Sequence, residues 1–311
     1  MTRAKRAMRY GMALPLLIVA ASCVPPVGDV AALPPPPPPA PVAVPPQPVV
    51  VGPIAPLRRD FTLRGFAEQG GAMVGQAPSG ADGLTLDGRP VAMTADGWFL
   101  IAFDRDAAPE ARLVATIGDG VRIERVLAVA PGQWRIENIN APYRGGASSD
   151  AEFERRRPAE LAQIAAARRA DRPSDGWRQR FIWPVTGRRS GFFGAQRVYQ
   201  GKPGSYHSGA DIAVPAGTPF VAPADGVVVL AAASPFTLEG NLLIVDHGMG
   251  LNSAFLHCQR LDVKVGDRVV QGQVLGAVGQ TGRATGPHMH WGLKWGDARL
   301  DPGKLAGPMG G

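Results

Sequence analysis

Alternating apolar and polar residues dominate this chain from about residue 57 onward. The stretch "GLTLDGRPVAMTADGWFLIAFD" (83–104) alternates between the strong turn pairs Asp87-Gly88 and Asp96-Gly97. "ARLVATIGDGVRIERVLAV" (111–129) repeats the pattern around Asp119-Gly120. Short, closely spaced strands with such turns predict a small antiparallel β-sandwich, immunoglobulin-like, over residues 57–148. A helical pattern then follows within 150–172: Pro158 suits a first helical turn, and Leu161, Ile164 and Ala165 make a thin apolar stripe. The charges around it read as a solvated face, and 149–176 is assigned as a helical linker. From Trp177 strand patterns return in "GVVVLAAA", "NLLIVDHG", "LNSAFLHC" and "VLGAVG". Residues 177–311 are therefore expected to form a second, mainly β domain.

The N-terminal pattern differs. Arg3, Lys5, Arg6 and Arg9 precede an apolar run from Gly11 to Ala21, too short to span a bilayer and suited to a secretory signal. The run leads into "AASC", which resembles a bacterial lipoprotein cleavage site; residues 1–22 are then the signal peptide and Cys23 the lipidated first residue. Residues 23–56 collapse to Pro, Val and Ala, including "PPPPPP" at 34–39. Such a stretch favours polyproline II and could reach about 100 Å as a tether. An exported protein of the cell envelope or periplasm, lipid-anchored to the outer membrane, is the expectation.

Lys and Arg exceed Asp and Glu, 33 against 26. A basic surface suits polyanionic neighbours. The chain lacks zinc-finger spacing, helix-turn-helix patterning and an RNP-type aromatic signature, so a nucleic-acid partner is not expected. The two cysteines, Cys23 in the tether and Cys258 in a strand pattern, are not expected to pair.

All five histidines lie C-terminal: His207, His247, His257, His288 and His290. In "TGPHMHWG" (285–292) His288 and His290 stand at i, i+2 and share a face if the stretch is extended. A metal, an acid–base pair or chance would each account for that spacing. Upstream, His207 and Asp211 form H-x-x-x-D. Gly209, Pro215 and Gly217 argue against a helix there, so His207 is placed in a turn and Asp211 in the following strand. A catalytic zinc takes three protein ligands and keeps one position open; His207, Asp211 and one of His288 and His290 would make such a set.

Three separated segments, "SGFFGAQR" (190–197), "HSGADIAVPAGTPFVAPADGVV" (207–228) and "FLHCQRLDVKVGDRVVQGQVLGAVGQTGRATGPHMHW" (255–291), closely resemble the lysostaphin-type, LytM-like peptidoglycan metalloendopeptidases. The resemblance covers roughly residues 181–302. It implies an antiparallel β-sheet catalytic domain with a metal groove, of the duplicated hybrid motif type, over 177–311. It also implies one Zn2+ held by His207, Asp211 and His290, with His257 and His288 as the catalytic pair beside it. Peptidoglycan is the implied substrate, cut at its peptide cross-links. Two positions depart from the family pattern. Phe255 stands where many members have Tyr, which puts an oxyanion-donating hydroxyl in doubt, and Cys258 replaces an apolar residue and is expected to pack away from His257. His247, in "VDHGMG", is read as a turn residue. "GQTGRATG" lacks the Lys-[Ser/Thr] ending of a phosphate-binding loop and is read as a groove wall. "VKVGDRVVQGQVLGAV" is similar to the hairpin of biotinyl- and lipoyl-carrier domains but has no lysine at its tip.

The alternative is a non-catalytic LytM-like protein that activates a separate cell-wall amidase. Retention of all five metal and catalytic residues favours the enzyme. The sandwich, which has no histidine, is read as a non-catalytic spacer or as a module that binds an amidase or another envelope protein.

Overall fold

The computed structural model describes residues 57–118, 120–141, 151–232 and 234–310. The expected signal peptide, Cys23 and the proline-rich tether lie outside them. Among the described residues no helix is long and apolar enough to cross a membrane.

The first β region is two antiparallel sheets. One contains β1 (Thr62–Gly65), β2 (Ala72–Gln76) and β5 (Trp98–Ala102); the other contains β3 (Ala81–Leu86), β4 (Arg89–Pro90), β6 (Glu110–Ile117) and β7 (Val121–Ala128). Asp87 and Gly88 both take positive φ, 49° and 76°, and close β3 onto β4 with Leu86 opposite Arg89. That is the left-handed pair a two-residue hairpin needs. Phe61, Met73, Phe99 and Ile101 pack against Leu84, Leu86, Leu113 and Ala115 in one core. β5 is buried on both faces: Leu100 and Ala102, pointing the other way, join the core of the C-terminal region with Trp177, Phe181 and Trp291. The strand β8 (Ile136–Ile139) pairs in parallel with β10 (Gln196–Tyr199), which also pairs with β11 (Lys202–Pro203).

Helix α1 (Ala151–Arg168) carries Pro158 in its interior rather than in its first turn. Its buried face is Glu160, Ile164 and Ala167, whereas Leu161 is 47% exposed, so the expected stripe is rotated. Side-chain pairing sets that rotation. Glu160 accepts hydrogen bonds from the Thr237 amide (2.8 Å) and hydroxyl (2.6 Å), and Arg157 grips Glu239 with two bonds of 2.6 and 2.9 Å. These charges fasten the helix to the sheet below and are not simply a solvated face.

The C-terminal region is mainly β, as expected. Its large antiparallel sheet runs β18 (Arg268–Val269), β14 (Gly226–Ala231), β15 (Asn241–Asp246), β16 (Leu251–Cys258), β20 (Met289–Trp295), β12 (Ala210–Ala213), β9 (Arg188–Gly191), with β21 (Ala298–Leu300) on β20. A small sheet orders β13 (Pro219–Val221), β19 (Val274–Ala277) and β17 (Arg260–Leu261). The carrier-like stretch is therefore not a hairpin: β18 pairs with β14, whereas β19 pairs with β13 and β17. One face of the large sheet buries Ile212, Leu243, Val245, Phe255 and Trp291. On the opposite face α1 covers Leu242, Ile244 and Ala254.

Candidate metal centre

Register brings the acidic and imidazole groups together. Asp211 on β12 stands directly opposite His290 on β20, and opposite Gly191 on β9. Paired residues on neighbouring strands share a face at close range. His207 lies before β12 in a non-helical segment, where its amide donates to the Ala195 carbonyl and its own carbonyl accepts from Gly194, both at 2.8 Å. Two glycines leave the space. A Cβ at Gly191 would stand 2.2 Å from Asp211 Oδ2, and one at Gly209 would stand 2.6 Å from His290 Nε2.

His288 sits one residue before β20, bridged to Gly279, and His290 two residues on, so both reach the same end of the sheet. His257 arrives differently. The β15–β16 register slips between Asn241 and Leu243, and His257 has φ 62°. Such a bulge re-aims a side chain, and a non-glycine residue in the left-handed region costs about 1–3 kcal/mol. The result is an imidazole ring 4.9 Å from that of His288 and 6.4 Å from that of His290.

Three atoms converge. His290 Nδ1 lies 2.8 Å from Asp211 Oδ1, His207 Nε2 lies 3.1 Å from the same oxygen, and the two nitrogens are 3.2 Å apart. The three residues form a cluster able to hold a metal ion. His207 Nδ1 is 3.1 Å from the Phe192 carbonyl oxygen, which can only accept, so Nδ1 carries a proton and Nε2 is turned to the cluster. Two imidazole nitrogens and a carboxylate oxygen at this separation repel unless a cation, proton or metal, sits among them. Donors about 2.0–2.1 Å from a tetrahedral zinc stand about 3.3 Å from one another, close to the triangle present. The set fits a metal such as zinc, and two of its members, His207 and Asp211, border an open cleft of about 1050 Å³. Burial alone would raise the Asp211 carboxyl pKa, but the adjoining His207 and His290 imidazoles outweigh it and hold the group well below the usual carboxylate range.

His257 and His288 each have Nδ1 2.8 Å from a main-chain carbonyl, of Thr281 and Gly286. Each ring therefore fixes its Nδ1 proton and keeps Nε2 for other work. His288 Nε2 is 3.9 Å from Asp211 Oδ1. Burial lowers the His257 pKa below its ordinary value.

The remaining singled-out residues lie in the core. His247 is fully buried, its Nε2 2.7 Å from Ser253 Oγ and its Nδ1 2.7 Å from the Asp225 carbonyl, and burial pushes its pKa down to about 4. Cys258 is a free, buried thiol, pushed up to about 12 by burial. Phe255 packs against Phe220 (ring centroids 5.3 Å apart) beside Trp291. The bulge at His257 breaks the i, i+2 alternation, so a hydroxyl on residue 255 would enter the core, not the cleft. Sequence reasoning missed several cleft residues, among them Arg135, Ile136, Tyr206 and Arg283. "GQTGRATG" does supply one of them, Arg283.

The model of peptidase family M23 matches residues 205–302, a span that contains all five histidines. A crystal structure described as an M23 peptidase of Pseudomonas aeruginosa is 32% identical, covering 78% of this chain and 95% of that one, with a TM-score of 0.59. This chain belongs to peptidase family M23. The likeness to that M23 structure extends beyond the metal-bearing region, because residues 177–311 make up less than half of the chain. Among curated relatives, the peptidoglycan DD-endopeptidase ShyA of Vibrio cholerae is 42% identical over 87 residues, 28% of this chain and 20% of that protein. The cell division protein DipM of Caulobacter vibrioides is 33% identical over 129 residues, 42% of this chain and 20% of that protein. The chain thus spans about a fifth of the length of these two relatives.

Proposed function

We propose that this M23 protein is a zinc-dependent endopeptidase that hydrolyses peptide cross-links of peptidoglycan at the cell envelope. The observation that carries the proposal is the convergence of His207 Nε2, Asp211 Oδ1 and His290 Nδ1 at 2.8–3.2 Å, with His257 and His288 alongside. The naming of ShyA as a peptidoglycan DD-endopeptidase supports the substrate class. Export by residues 1–22 and anchoring at Cys23 belong to the same proposal.

In this reading His207, Asp211 and His290 hold the metal, which when bound supplies a positive charge that acidifies water and polarises a peptide carbonyl. The chain's own contribution is proton handling. Of His257 and His288, one works neutral: its bare Nε2 takes a proton from the attacking water and returns it to the leaving amine. The other works protonated, donating from Nε2 toward the oxygen on which negative charge develops. The two carbonyls of Thr281 and Gly286 accept the Nδ1 protons of both rings, which leaves each Nε2 for these tasks. Metal-loaded protein incubated with purified sacculi should release peptides with new amino termini at cross-links. The chelated protein should release none, and undiminished release after chelation would refute the proposal.

A further inference from the structure

We propose that the cleft beside the metal centre holds a carboxylate of the peptide substrate between Arg135 and Arg283, the first β region supplying one wall. The inference rests on the endopeptidase reading above and deepens it. The cleft runs from His207 and Asp211 to Arg135 and Ile136, residues that precede α1 and lie outside the metal-bearing region. Their position is fixed by backbone pairing. The Gln196 amide donates to the Arg135 carbonyl and the Gln200 amide to the Ile139 carbonyl, both at 3.0 Å, at the two ends of the parallel β8–β10 pair. Arg105, buried beneath, donates through Nε and Nη2 to the Gly194 carbonyl at 3.2 and 3.1 Å. Gly194 and its neighbour Ala195 in turn bracket the backbone of His207. The wall and the metal ligand are thus parts of one braced unit.

Arg135 is placed to recognise an anion. Its guanidinium carbon lies 3.5 Å above the centre of the Phe192 ring, and the Phe192 carbonyl holds His207 Nδ1. A guanidinium stacked by its face keeps its edge N–H groups free for in-plane, bidentate contact with a carboxylate. Among the described residues no carboxylate pairs with Arg135 or Arg283, whereas Arg197, in the same cleft, is paired with Glu137 at 2.9 Å. Arg135 and Arg283 are therefore available cations in a cleft that also holds the metal centre, and peptidoglycan stem peptides carry free carboxylates.

The test uses the zinc-loaded full chain and a cross-linked muropeptide dimer, either with free carboxylates or with those groups converted to amides. The parent should prefer the free form by about tenfold or more in kcat/KM, the weight of one charge-assisted hydrogen bond. Arg135→Gln and Arg283→Gln should each collapse that preference toward one by raising KM for the free form, and Arg135→Lys should restore part of it. Zinc content, measured in parallel, should match the parent's, because neither arginine touches the metal. Equal cleavage of both dimers by the parent would overturn the subsite and leave the endopeptidase standing. Variants that slow both dimers alike, with the preference intact, would also overturn it, making Arg135 a brace for Phe192 only. Equilibrium binding of the two dimers separates the remaining case. Preferential, Arg135-dependent binding without cleavage would sustain the subsite and refute the endopeptidase.

Discussion

Replacing Gly191 with alanine should disable the candidate metal centre without replacing any of its ligands. Gly191 faces Asp211 across β9 and β12, and an added Cβ would lie 2.2 Å from Oδ2, 2.7 Å from Cγ and 2.9 Å from Cβ of that aspartate. Contacts below 3.0 Å essentially never occur for real Cβ atoms, and turning the carboxylate alone cannot relieve the clash with Asp211 Cβ. Either the strands part or the Asp211 side chain retreats by about 1 Å, a displacement that costs about 10²-fold in rate at a catalytic site. Asp211 Oδ1 would then lose its place between His207 Nε2 and His290 Nδ1, now 3.1 and 2.8 Å away. Metal sites tolerate deviations of only about 0.2 Å in ligand distance, and disturbing a ligand's support typically weakens affinity by about 10–100-fold. Overpacking should also lower stability by about 1–3 kcal/mol. Competition against a chromophoric chelator measures zinc affinity, thermal melting measures stability, and muropeptide cleavage measures turnover. A folded Gly191→Ala protein that binds zinc and cleaves like the parent would refute the assignment of Asp211 as a ligand packed against β9.

Further outcomes follow from the same geometry. His290→Ala should lose zinc and activity together, whereas His288→Ala and His257→Ala should keep zinc while turnover falls by about 10²–10⁴-fold; the double variant should lose little more if the pair works as a unit. Metal analysis beside the cleavage assay distinguishes these cases. Buried His247 titrates near pH 4 when folded, below its unfolded value of 6.5, so the unfolded chain binds the extra proton between those pH values. Stability should be full above pH 6.5 and fall by about 3 kcal/mol toward pH 4 from this group; urea unfolding across that range should show it, and His247→Gln should flatten it while weakening the fold. Arg157→Ala leaves Glu239 without its two-bond partner and should cost about 3 kcal/mol in urea unfolding, with the slope m unchanged.

Much of the candidate metal centre is legible because two short-range rules produce it. Strand alternation placed His288 and His290 at one end of β20, and the glycines and proline around His207 excluded a helix. The position of His257 was not legible in the same way: it depends on a bulge with φ 62°, which nothing in "FLHC" announces. The Phe255 ring stays in the core, while the bulge carries His257 to the side of His288. In the first β region the turn pair Asp87-Gly88 does close a hairpin, β3 onto β4. The run "WFLIAF", read as alternating, is unbroken apolar because β5 is buried on both faces, one against each core. Helix α1 was found, but its rotation was not, because Glu160 is drawn inward by partners 77 residues away in sequence. Long-range pairing also hid the cleft wall, since the β8–β10 match joins residues about sixty positions apart with no signal beyond strand propensity.

The most direct test is a zinc titration of metal-stripped protein with cross-link cleavage read at each addition. The rate should rise from zero in proportion to added zinc and level off at one equivalent, and His290→Ala should remain inactive throughout. Full cleavage by the stripped protein, or a parent protein carrying one zinc that leaves the cross-links intact, would contradict the account.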